Sequence, residues 1–136
     1  MTTYTLTARV GRPYAETVEA VREQLAGAGF GVITEIDLRA TLKQKLGVDV
    51  APQVILGACR PELAHQALQA DPSIAALLPC NVVVRALDEG TTLVEAFDPR
   101  AMMSLAGAAG ADHPIHAVAA DARARLAAAL TALENS

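Results

Sequence analysis

Two cysteines and three histidines are the soft and imidazole side chains of this sequence. Both cysteines and one histidine fall in one stretch, ILGACRPELAHQALQADPSIAALLPCNVVV, from Ile55 to Val84. Cys59 stands where an apolar strand gives way to a helix opening on Pro61. Unpaired N–H groups at a helix start carry partial positive charge, and Arg60 adds a full one. That setting predicts a lowered thiol pKa at Cys59, and with it a nucleophile or a metal ligand. Cys80 follows Pro79 at the start of a later strand. His65 lies on the Pro61 helix, between an apolar face of Leu63, Ala64, Ala67 and Leu68 and a polar face of Glu62, Gln66 and Gln69. Gly57 lets another group approach the backbone closely. Asn81 can pin its turn by bonding its own backbone. The candidate binding set is therefore Gly57, Cys59, Arg60, His65, Cys80 and Asn81. Of these, Cys59, His65 and Cys80 are the ligands available to a soft metal ion.

Each residue also has a plainer account. Free cysteine is among the most buried residue types, so both thiols can be small packing groups. A histidine at a face border can simply lie on the surface. His113 and His116 flank Pro114 and fit helix capping or exposure. Met102 and Met103 read as gap-filling core rather than as a soft copper site. The spacing of the metal trio is loose for zinc. The sequence holds no phosphate loop, dinucleotide fingerprint, Ser-His-Asp arrangement or CxxC, so no nucleotide cofactor is expected.

Whether the two thiols can meet depends on the strands that carry them. If 53–58 and 80–87 run antiparallel, Cys59 ends one strand at the sheet edge where Cys80 starts the other. If they run parallel, the cysteines sit on the order of 15 Å apart, at about 3.3 Å per strand residue. The helix from Pro61 and a further turn after Pro72 favour a return to the starting edge, and so the antiparallel case.

The other elements follow from periodicity. Thr3 to Val10 alternates as a strand. Tyr14, Val18, Val21 and Leu25 make a helical stripe, closed by Gly27 and Gly29. FGVITEI, Phe30 to Ile36, is a second strand. Asp37 caps a helix to Leu46, with Gly47 ending it and Leu38, Leu42 and Leu46 sharing a face. The strands Cys80 to Leu87 and Thr91 to Phe97 form a hairpin across Asp88-Glu89-Gly90. PRAMMSLAG reads as a loop or short helix, and Gly107 to Gly110 as small and flexible. A last helix runs from Ile115 to Leu133, with Ile115, Ala119, Ala122, Leu126, Leu130 and Leu133 inward. The order is β-α-β-α-β-α-β-β-α. It implies an α+β fold over residues 1–136 as one domain, with a mostly antiparallel sheet covered by helices.

Composition sets limits. The chain has 136 residues, 52% of them hydrophobic and only 3% aromatic, so its core is aliphatic. A net charge of −4 argues against nucleic acid as a partner. There is no leader-like N-terminus and no apolar run long enough to span a bilayer. A cytoplasmic location with free thiols is expected, and no membrane partner.

LKQKLGVDVAPQVILGACRPELAHQALQADPSIAALLPCNVVV resembles the signature of the domain-of-unknown-function family 302 (DUF302). The likeness lies in KLG, in ILGAC before a proline, in AHQAL and in LLPCNV. By resemblance, Gly57, Cys59, Pro61, His65, Pro79, Cys80 and Asn81 are its motif positions. The resemblance implies a compact α+β domain akin in topology to the TATA-box-binding-protein-like class, often a homodimer, with no settled activity. Where many relatives carry Asn, this chain has Arg60, a poor N-cap, so that either the cap is supplied otherwise or the corner is more cationic. Three functions remain open. One is a module binding a soft metal or a thiol-reactive small molecule. Another is a homodimeric structural or sensor domain with these residues as corners. The third is an enzyme with a Cys59 nucleophile and a His65 base.

Overall fold

The computed structural model describes residues 4–106 and 114–136. Residues 107–110 and His113, expected above as flexible loop and capping residue, lie outside them. The strands are β1 (Thr5–Val10), β2 (Gly31–Asp37), β3 (Gln53–Cys59), β4 (Cys80–Ala86) and β5 (Thr92–Phe97). The helices are α1 (Tyr14–Gly27), α2 (Leu38–Leu46), α3 (Pro61–Ala70), α4 (Pro99–Ala106) and α5 (Ile115–Glu134), with a 3₁₀ helix over Pro72–Leu77. The five strands form one sheet in the order β1-β5-β4-β3-β2, every pair antiparallel. The α+β class and the element order agree with the sequence reading. PRAMMSLAG resolves into the short helix α4.

One sheet face carries the main core. Val54, Leu56, Val82, Val84, Val94 and Ala96 are almost fully buried there. They alternate along β4 and β5 with half-buried or exposed neighbours, as pleating requires, while on β3 the run from Leu56 to Ala58 is buried throughout. α1 contributes Val21 and Leu25, and α5 contributes Leu126, Leu130 and Leu133. Burying one such side chain stabilises the fold by about 1.5–3 kcal/mol.

Periodicity missed two residues of this region. Thr17 and Thr92 are fully buried. Their hydroxyls donate to the corner before α1: Thr17 Oγ1 to the Pro13 carbonyl at 2.9 Å, Thr92 Oγ1 to the Arg12 carbonyl at 2.8 Å. A satisfied hydroxyl is tolerated in a core where an orphaned one is costly.

α2 is built as its sequence specifies but is only partly covered. Asp37 accepts the Ala40 N–H at 2.9 Å, and Gly47 ends the helix at φ 69°. Yet α2 has no buried residue, and Leu46 is 70% exposed. The helix lies against β2 and β3, with Leu38 and Leu42 half-buried and only Leu46 of the row fully out in solvent.

Candidate functional site

β3 and β4 pair with Ala58 opposite Cys80 and Gly57 opposite Asn81. Cys59 is therefore one residue step from the partner of Cys80, at the same sheet edge. Directly paired strand residues lie about 4.5–5.5 Å apart. The antiparallel case holds, and it brings the two thiols together. Both are free.

They meet on a cavity at the end of the sheet, with about 490 Å³ of empty space counted out to its mouth. Ala58, Cys59 and Cys80 from the strands and Phe30 before β2 line one side. α3 supplies Leu63, Ala64 and Ala67, the apolar face read from its sequence. α4 supplies Met102 and Met103, and α5 closes the space with Ile115, Val118, Ala119 and Ala122. Much of this wall belongs to a second buried cluster of Ala67, Ile74, Cys80, Met102, Met103 and Ile115. Small alanines on α3 and α5 explain the empty volume: no larger side chain fills the gap between those helices.

Arg60 is the one charged residue in the lining. Its side chain is only 20% exposed and runs over Gly29, whose φ is 90°. A Cβ at Gly29 would stand 3.2 Å from Arg60 Nε. Gly29, expected only as a helix terminator, thus also makes room for the arginine. Asp121 on α5 and Glu62 on α3 face the guanidinium at 3.9 Å each, beyond hydrogen-bond reach. Arg60 Nε is buried with no hydrogen-bond partner among the described residues. Such a donor costs free energy until an acceptor arrives.

The predicted thiol chemistry is corrected. Burial pushes the Cys59 thiol up, not down. Cys80 is pushed up to about 11, first by burial and then by the nearby Cys59. Desolvation outweighs the helix start and Arg60 because the lining offers apolar groups almost throughout. Both side chains are protonated thiols at neutral pH, not a ready nucleophile.

The predicted metal trio is also corrected. His65 is exposed and does not line the cavity. Among the described residues, no three His, Cys, Asp or Glu side chains are grouped to hold a metal. Leu63, Ala64 and Ala67 take the inward positions of α3, which turns His65 to solvent with Glu62, Gln66 and Gln69.

Gly57 and Asn81 also lie apart from the thiols. They pair on the strand positions between the inward ones, and Asn81 is exposed. Gly57 is a packing requirement. A Cβ there would collide with Thr34 Oγ1 and stand 2.8 Å from Pro79 Cγ. The Leu78–Pro79 peptide is cis. His116 is half-buried, and its Nε2 has no partner among the described residues.

No helix among the described residues is long and apolar enough to cross a membrane. No curated protein matches the chain. A solved structure, an uncharacterized conserved DUF302 protein from Bacillus stearothermophilus, superposes with a TM-score of 0.84 at 31% identity. The match covers 97% of this chain and 99% of that one. The family model "Domain of unknown function DUF302" spans residues 6–133, nearly the whole sheet and the three helices that line the cavity, and this chain belongs to the DUF302 family.

Proposed function

We propose that this protein is a small-molecule binding module rather than a Cys-dependent enzyme, with the sulfur-lined apolar cavity as its site. The observation that carries the reading is the convergence of Cys59 and Cys80 on one apolar space beside a buried, unsatisfied Arg60 Nε. Apolar cavities with a few convergent polar groups are the usual form of ligand sites, and this one encloses about 50 Å³, room for a small ligand only. The ligand is small, and it offers an acceptor or a soft atom to the polar corner. Catalysis by Cys59 with His65 as base lacks support, because the base points to solvent and the thiol pKa is raised.

1-Anilinonaphthalene-8-sulfonate tests this, since it pairs an apolar body with an anionic group. The native protein should bind it saturably at one site, with its fluorescence enhanced. Ala119→Trp and the milder Ala64→Leu, each checked for native circular dichroism, should weaken binding by filling the cavity. Absence of saturable binding, or binding indifferent to both variants, would overturn the proposal.

A second reading, self-association, draws on the β2 edge of the sheet. Ile33 and Ile36 are 63% and 45% exposed on this outermost strand. An edge strand with apolar side chains is a template for pairing with another chain. Two copies joined through β2 would bury these side chains. Sedimentation equilibrium should give a dimer that Ile36→Lys turns into a monomer; a monomeric parent protein would contradict it.

A further inference from the structure

The cavity holds more sulfur than its two thiols. Met102 and Met103 of α4 line it too, each only 7% exposed. Four sulfur side chains, from β3, β4 and α4, thus border one space whose lining contains no carboxylate and no imidazole. We infer that this cavity binds a monovalent soft metal ion, Cu(I), between Cys59 and Cys80, with the thioethers of Met102 and Met103 as supporting ligands. The inference rests on the cavity being the binding site.

Ligand chemistry supports the assignment. Thiolates and thioethers select Cu(I), whereas magnesium, calcium and manganese need oxygen ligands that this lining lacks. Zinc sites draw three or four ligands from thiolate, imidazole and carboxylate groups. The lining offers only two such groups. Cu(I) is satisfied by two thiolates, so it needs no third His, Cys, Asp or Glu. An apolar wall also keeps water from the ion, which helps hold the reduced state.

Binding is a ligand exchange without electron transfer. Two S–H groups release two protons to solvent, two copper–sulfur bonds form, and copper stays at +1. The product carries one net negative charge. Arg60, adjacent to Cys59 in the chain, brings a positive charge to the same lining, a charge it shares with Glu62 and Asp121 at 3.9 Å each. A buried charge is tolerable when it is paired. The unpartnered Arg60 Nε finds an acceptor in the same step.

Silver(I) is a redox-inert probe of the same site. Titration in chloride-free buffer, followed by native mass spectrometry, should give one ion per chain and two protons released. Anaerobic Cu(I), held against bicinchoninate, should give the same stoichiometry. Cys59→Ala and Cys80→Ala should each abolish stoichiometric binding. The double variant Met102→Leu/Met103→Leu conserves volume and should fold normally, yet bind about tenfold more weakly. No bound silver, or binding unchanged in the cysteine variants, would overturn the metal assignment. If the fluorescent probe still saturates the cavity in that case, the cavity reading stands and only the ligand class is lost.

Discussion

The two buried clusters of this molecule are made of different materials. The main cluster, between the sheet and the helices α1 and α5, is branched aliphatic: Leu56, Val82, Val84, Val94, Leu126 and Leu133. The second, at the Cys59–Cys80 end, combines Ile74 and Ile115 with alanine, two methionines and a cysteine. A gap in the main cluster encloses about 10 Å³, against about 50 Å³ at the sulfur end. Stiff branched side chains interlock, while unbranched methionine and small alanine leave room. One region is built to hold the fold and the other has space to admit something.

If that division is right, substitutions should separate by region. Leu126→Ala, at a position 1% exposed in the main core, should cost about 3 kcal/mol in urea unfolding. A loss as small as that of a cavity-wall alanine would erase the distinction.

Gly57→Ala tests the boundary between the two. Its methyl group has no room against Thr34 and Pro79, so a loss of roughly 2 kcal/mol is expected from overpacking. Thermal unfolding as stable as the parent's would show that the corner yields.

The sulfur end should also give itself away through pH. Cys80 ionises near 11 when folded, above the ordinary value of 9.0. The unfolded chain therefore loses its proton first as pH rises. Stability should be intact below about pH 9 and fall by on the order of 2 kcal/mol toward pH 11. In Cys80→Ala that decline should become shallower. An unchanged slope would mean that burial of this thiol is not its source.

The smallest effect belongs to the methionines. Met103→Leu should change stability by less than about 1.5 kcal/mol, because the swap keeps volume and the site is not tightly interlocked. A loss as large as that of Leu126→Ala would mean that Met103 is core in the full sense.

The same contrast governs what the sequence revealed. Strands and helices are legible because periodicity reports burial directly, as in the alternation of β1 or the leucines of α5. The meeting of Cys59 and Cys80 could be framed as a choice between two strand arrangements. The tight return through α3 and the 3₁₀ helix favoured the correct one. The buried threonines Thr17 and Thr92 were invisible, because their acceptors at Arg12 and Pro13 are set by tertiary structure. The direction of the Cys59 pKa was misread for a related reason. A helix start and an arginine are local signals, while desolvation comes from α4 and α5, distant in sequence. His65 stood on a border between faces, and only the packing of Leu63, Ala64 and Ala67 decided which way it turned. The cavity itself had no sequence signal except alanine-rich helices and two adjacent methionines.

The central claim is that both thiols face one site that a ligand can enter. Native-state alkylation with N-ethylmaleimide, followed by peptide mass spectrometry, tests it directly. Half-buried Cys59 should react faster than buried Cys80. Saturating 1-anilinonaphthalene-8-sulfonate should slow both reactions together. Alkylation of both thiols at rates unaffected by the bound probe would contradict the account.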